Sequence, residues 1–157
     1  MSTSTPEPVA HVEKVYVAGS SLELDRAERM IAALERAGIV VTSTWTIAVR
    51  DAGTGNPANA TREQRAQWTI TDLAQVRAAE LFLFLVPPRD VATRGAWTEA
   101  GYALAKNKVC VFAGDTKQSI FSALAYEYET DAAALALILR LADRDPSTAI
   151  AFGSIAG

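Results

Sequence analysis

The sequence predicts an α/β fold: three layers, with a mostly parallel sheet of about five strands between helices. Three observations predict it. The run Leu81-Phe-Leu-Phe-Leu-Val86 is continuously apolar and short, as a parallel strand buried on both faces should be, and Pro87-Pro88 stops it. Short apolar or β-branched runs alternate along the chain with longer stretches of helical spacing, the pattern of strands joined by crossover helices. At 157 residues, 50% hydrophobic and 21% charged, the chain has the length and composition of one domain with a substantial core.

The elements follow in order. Residues 1–11, with Met1-Ser-Thr-Ser-Thr-Pro-Glu-Pro8, are polar, contain prolines and lack a charged-then-apolar leader pattern, so a disordered tail is expected. Residues 12–18 read as the first strand. Residues 22–37 read as an amphipathic helix with Ala27, Met30, Ile31, Leu34 and Ala37 on one side, ended by Gly38. A second strand is expected at 39–43. The segment 44–65, rich in Gly, Asn, Thr and Pro, reads as a long loop of the functional or mobile kind. A helix at 67–79 leads into the strand 81–86, then a helix at 95–106 and a strand at 109–113. Residues 119–128 hold a short edge element, and 131–142 form the last helix, which Pro146 keeps from extending. The domain therefore spans 12–145, and 146–157 is a small apolar tail to which the sequence assigns no role. Right-handed crossovers turn this order into a Rossmann-like (flavodoxin-like) sandwich.

Composition narrows the partners. Net charge is −3, pI is about 5.2, and no Lys/Arg cluster occurs, which argues against a nucleic-acid polymer gripped through its phosphates. No apolar run approaches the roughly 18 residues of a membrane span, so no membrane partner and a cytoplasmic location are expected. The single cysteine, Cys110, lies inside Val109-Cys-Val-Phe112 and reads as a small buried hydrophobe. No disulfide or metal framework is present, and no cofactor is expected. The final helix, with Ala132-Ala-Ala-Leu-Ala-Leu-Ile-Leu-Arg-Leu-Ala142, has almost no polar face. Either a second subunit covers it, giving a homodimer or higher homo-oligomer, or it is wedged inside the domain; the first is the expectation.

The chemistry concentrates in Arg94-Gly-Ala-Trp-Thr-Glu-Ala-Gly-Tyr-Ala-Leu-Ala105. It sets one carboxylate, Glu99, where the sheet hands over to a helix, the place at which open α/β folds bind ligands. Gly95 permits close approach of backbone or ligand, the nearby helix N-terminus favours an ionised carboxylate, and Gly101 and Ala103 are small enough to let the helix lie on the sheet. A second carboxylate, Asp72, sits on the helix leading into strand 81–86, where it could equally be solvated. Ser20 and Ser21 lie at a helix start that could bind an anion or a hydroxyl, or simply be capped by Ser21. No GxGxxG or P-loop spacing occurs, and Gly53-Thr-Gly55 lacks a flanking strand and helix. His11 has no Ser or Cys elbow near it and reads as structural or exposed.

Three segments taken together, Tyr16-Val-Ala-Gly-Ser20, Asp72-Leu-Ala-Gln-Val76 and Arg94 to Ala103, resemble in order and spacing the nucleoside 2-deoxyribosyltransferase family, which includes nucleoside 5′-monophosphate N-glycosidases. The resemblance covers about residues 12–115. It implies a small-molecule nucleoside or nucleotide as partner and three catalytic residues. Glu99 matches the nucleophile that attacks the anomeric carbon and holds the glycosyl group covalently. Tyr16 matches the tyrosine that orients this carboxylate, although a strand tyrosine could also be packing. Asp72 matches the acid that protonates the departing base, which requires its pKa to lie above that of Glu99. Gly19, Ser20 and Ser21 fall where relatives meet the sugar or a 5′-phosphate, and Ser119 or Ser122 could supply the serine that one branch takes from the adjacent subunit.

The chain also departs from the family. Thr93-Arg94 stands where deoxyribosyltransferases often carry an acidic pair, so one base-contacting carboxylate is missing. Asp90 could compensate if its loop folds back. Arg94 could attract a phosphate or pair with Glu99. In the 44–65 loop, with Arg50, Asp51 and Asn56, Trp45 could stack on the base or pack in the interior. The expectation is cleavage or transfer at the N-glycosidic bond of a (2′-deoxy)nucleoside or its 5′-monophosphate through Glu99. The alternative is a nucleotide-binding or sensing protein that kept the fold without the chemistry. A phosphotransfer receiver is disfavoured, since the first strand ends in Ala-Gly-Ser and not in an acidic cluster.

Overall fold

The computed structural model describes residues 11–52 and 57–154. The expected N-terminal tail, except His11, and Gly53, Gly55 and Asn56 lie outside the described residues. Five strands, β1 (Lys14–Ala18), β2 (Val40–Val41), β3 (Leu81–Val86), β4 (Val109–Gly114) and β5 (Tyr126–Tyr128), form one sheet in the order β2-β1-β3-β4-β5. Every neighbouring pair is parallel, with Tyr16 beside Phe82 and Phe84 beside Phe112. This is the flavodoxin-like order, whose switch point lies between β1 and β3.

The period of two along the strands sorts their side chains into two cores. Val15, Val17, Leu83 and Val111 face α1 (Leu24–Arg36) and α5 (Asp131–Leu141). Tyr16, Phe82, Phe84 and Phe112 face α3 (Arg62–Ala78) and α4 (Arg94–Ala105). Ala96, Ala100 and Ala103 present a small-residue face of α4 to the sheet, which brings this helix close. Gly101 takes no part in that approach: a Cβ there would meet nothing within 4 Å. Gly38 closes α1 with φ +79°, where a side chain would be strained.

Several boundaries differ from the sequence reading. The segment expected to be a loop contains α2 (Trp45–Ala52), and α3 begins at Arg62, five residues early. A reciprocal cap explains that start: Thr61 Oγ1 accepts from Gln64 N, and Gln64 Oε1 accepts from Thr61 N. The segment 119–128 supplies β5 as its edge element, preceded by a 3-10 helix, Ile120–Leu124.

Contrary to expectation, α5 does not need a second subunit to cover it. Ala134, Leu135, Leu137, Ile138, Leu139 and Leu141 are buried within the chain itself. Part of the cover comes from the segment read as a tail. Residues 148–154 form a further helix, α6 (Thr148–Ser154), whose Ala149 is buried in the same core and whose Phe152 packs against it. The helix wedged inside the domain is what the structure shows.

Candidate active site

Beyond the carboxyl ends of β1 and β3, at the switch point, lies a cavity of about 930 Å³. One wall is the turn after β1, Gly19 to Leu22, and facing it is the entry to α4, Ala92 to Ala96 with Glu99. The two loops are tied together, since Ser20 Oγ donates to Ala92 O at 2.9 Å and accepts from Leu22 N. Ser20, and not Ser21, is therefore the cap of the 3-10 turn Ser21–Glu23. The remaining wall comes from α2 and α3 and carries Trp45, Val49, Arg65, Trp68 and Asp72.

Asp72 and Glu99 thus reach one cavity from neighbouring helices, with Tyr16 buried beneath them on β1. Among the described residues, the buried side-chain polar atoms lacking a hydrogen-bond partner are Tyr16 Oη, Thr93 Oγ1 and Glu99 Oε2. Each such orphan costs about 1–3 kcal/mol, so three in one place mark a site and not a packing optimum. Tyr16 Oη and Glu99 lack a hydrogen bond of ordinary geometry but lie close enough for each to perturb the other's ionisation.

Burial pushes the Glu99 carboxyl up to about 7, partly offset by the Tyr16 hydroxyl, with the Asp72 charge adding to the rise. Burial also pushes Asp72 up, to about 6. Both carboxyls are therefore raised by loss of water, Glu99 with the Asp72 charge in addition. Glu99 sits in the second turn of α4, past the first turn where the helix dipole acts, and loss of water outweighs the rest. Tyr16 is driven far above its ordinary value, first by burial and then by Glu99 and Asp72, so it stays a neutral donor.

The structure brings together Gly19, Ser20, Ser21, Trp45, Asp72, Arg94, Gly95 and Glu99 on the cavity wall. Gly95 leaves open space, because a Cβ there would meet nothing within 4 Å. Arg94 makes no ion pair among the described residues, so the pairing with Glu99 is not formed. Trp45 is anchored: its Nε1 donates to Val17 O at 2.8 Å and its ring packs against both cores. It is a fixed wall of the cavity.

One expected site residue, Asp90, is not brought there. It is exposed in the turn after β3 and does not line the cavity, although Ala92 and Thr93 of the same loop do. Ser119 caps the 3-10 helix by accepting from Phe121 N, and buried Ser122 donates to Ser119 O; the site they were expected to serve is that of an adjacent subunit. Sequence reasoning missed Arg65, Trp68 and Thr93. Both of the first two stand at helical spacing from Asp72; Trp68 already lay in the helix expected at 67–79, and Arg65 joins it once α3 starts at its cap. Among the described residues no group of His, Cys, Asp and Glu is arranged to hold a metal ion. Cys110 is buried, with its thiol pushed up to about 12 by burial, and stands outside the cavity lining.

A parallel α/β sheet with a half-buried carboxylate pair at its switch point defines the class: a small-molecule site of the flavodoxin-like topology. The sequence model for nucleoside 2-deoxyribosyltransferases matches residues 15–148, and the chain belongs to this family. Among solved structures, a 2-deoxyribosyltransferase from the psychrotolerant bacterium Bacillus psychrosaccharolyticus is similar at TM-score 0.60 and 17% identity, over 87% of this chain and 95% of that one. A CMP N-glycosidase from Clostridium botulinum is similar at TM-score 0.46 and 19% identity, over 73% and 85%. A comparison with curated proteins gives no significant match.

Proposed function

We propose that this chain cleaves or transfers the N-glycosidic bond of a (2′-deoxy)nucleoside or its 5′-monophosphate in the cytoplasm, through a covalent glycosyl-Glu99 intermediate. The observation that carries it is the pair Glu99 and Asp72 in one cavity, with Glu99 Oε2 and Tyr16 Oη buried and unpartnered. A Glu99 carboxylate oxygen attacks the anomeric carbon as the bond to the base nitrogen breaks. The electron pair goes to the base, and the Asp72 carboxyl supplies the proton. Water or a second base then attacks the same carbon, Asp72 takes back a proton, and Glu99 leaves as a carboxylate. Two inversions give net retention.

The neutral phenol of Tyr16 supports this course by offering Glu99 one donor. Arg94, lining the same cavity as Ser20 and Ser21, supports a 5′-phosphate as a ligand group there. The test is chromatographic. Incubation with each deoxynucleoside and monophosphate, with and without a second free base, is expected to release or exchange base, and Glu99→Ala to abolish this without changing the fold. Thermal shifts with nucleotides but no product over long incubation would favour the binding or sensing protein and overturn the enzymatic reading.

A further inference from the structure

The α3 wall of the cavity carries two side chains that bond cleavage leaves without a task. Arg65, Trp68 and Asp72 are spaced by three and four residues on α3, so they share one helix face, and all three line the cavity. Trp68 lies one turn from the acid that meets the leaving base. It is 37% exposed, and none of the ring pairs of the described residues includes it. An exposed indole facing a cavity gains by being covered with a flat apolar surface. Trp45, Ala48, Val49 and Pro57 line the same cavity and add apolar surface to it. Arg65 is exposed and without an ion pair among the described residues, so its planar fork of donors is available.

Resting on the reading of Glu99 and Asp72 given above, we propose that this α3 face is a nucleobase subsite selecting 6-oxopurines. The base stacks on Trp68, Asp72 protonates it at N3, and Arg65 donates two parallel hydrogen bonds to O6 and N7 at the opposite edge. Arg65 and Asp72 are seven residues apart, about 10 Å along the helix axis, which leaves room for a purine ring between their side chains. Adenine fits the same space but presents an N6 amino donor to a guanidinium that can only donate. Donor then faces donor and one hydrogen bond is lost, and discrimination of that kind is worth about tenfold or more.

The experiment compares hypoxanthine with adenine, which differ at this edge and not in size. Base release from deoxyinosine and deoxyadenosine monophosphates is measured with the wild type, and binding of the two free bases is measured by calorimetry with Glu99→Ala. Hypoxanthine should be preferred by about tenfold or more in both assays. Arg65→Ala should bring that ratio to within about threefold of unity, while Trp68→Ala should weaken both bases and leave the ratio unchanged. Both side chains are exposed, so the variants keep the fold. A preference in binding without release of base would uphold the subsite and overturn the Glu99 reading. Release without a preference, or with one that Arg65→Ala leaves intact, would overturn the subsite alone. Neither binding nor release would overturn both.

Discussion

At the scale of single residues, the site is built from groups held in states that water would not choose. Glu99 near 7 and Asp72 near 6 share one proton over the interval between these values. The productive arrangement is ionised Glu99 with protonated Asp72. A base nitrogen accepting from Asp72 and a phenol donating to Glu99 both shift the balance toward it. The expected kcat/KM profile is a bell with limbs near pH 6 and 7: below, Glu99 is protonated and cannot attack; above, Asp72 is ionised and cannot donate. A profile flat from pH 5 to 8 would contradict this pair as nucleophile and acid.

The same burial makes Glu99 a cost to the fold. Its folded-state value of about 7 lies above the ordinary 4.5, so the folded chain binds the extra proton. Stability is therefore lost as pH rises from about 4.5 through 7, and the penalty is complete above that. Glu99→Gln should be more stable than the wild type by about 2–3 kcal/mol at pH 8 and nearly equal at pH 4.5, as read by urea denaturation. Equal stability at both values would show that the carboxylate is better solvated than the structure has it.

At the scale of elements, the strands and the helices that cover them were legible where pattern and burial agree. Leu81–Val86 is buried at every position, as its unbroken apolar run required. The helix α2 was hidden because Thr, Asn, Gly and Pro dominate its surroundings, although Trp45, Ala48 and Val49 recur at helical spacing. The start of α3 was hidden because residues 62–70 are all exposed and so carry no apolar period, leaving the cap at Thr61 as the one signal. One tie could not be read from pattern at all. Arg26 donates to both oxygens of Asp131 at 2.8 and 2.6 Å, to Glu23, and to the end carbonyls Val86 O and Ala113 O. It fastens α1, the start of α5 and the ends of β3 and β4 at the edge that carries the site. Arg26→Ala would strand a half-buried carboxylate and two carbonyls, and a loss of about 3–5 kcal/mol in urea denaturation is expected. A loss below about 1 kcal/mol would reduce it to an ordinary surface pair.

At the scale of the whole molecule, the sheet order sets the site. A parallel sheet whose strand order reverses between β1 and β3 opens a crevice there, and the three segments that carried the family resemblance converge on it. Glu99, Asp72 and Tyr16 were legible as a group because each stands in a recognisable segment. Arg65 and Trp68 were not, since nothing in their own segment distinguishes them from a solvated helix face. The homodimer is kept as a proposal on a new footing: Ile120, Phe121 and Leu124, 85%, 54% and 76% exposed on one 3-10 helix, form the apolar patch a second copy would cover. Light scattering after size exclusion at micromolar protein should give a dimer, and Leu124→Glu a monomer. A monomeric wild type would remove the proposal.

The most direct test of Glu99 as nucleophile is mass spectrometry of the protein acid-quenched during turnover of a deoxynucleoside or its monophosphate. The account predicts a mass increment of one glycosyl group, confined after proteolysis to the peptide bearing Glu99 and absent from Glu99→Ala. Base release with no increment at any quench time, or an increment on another residue, would contradict it.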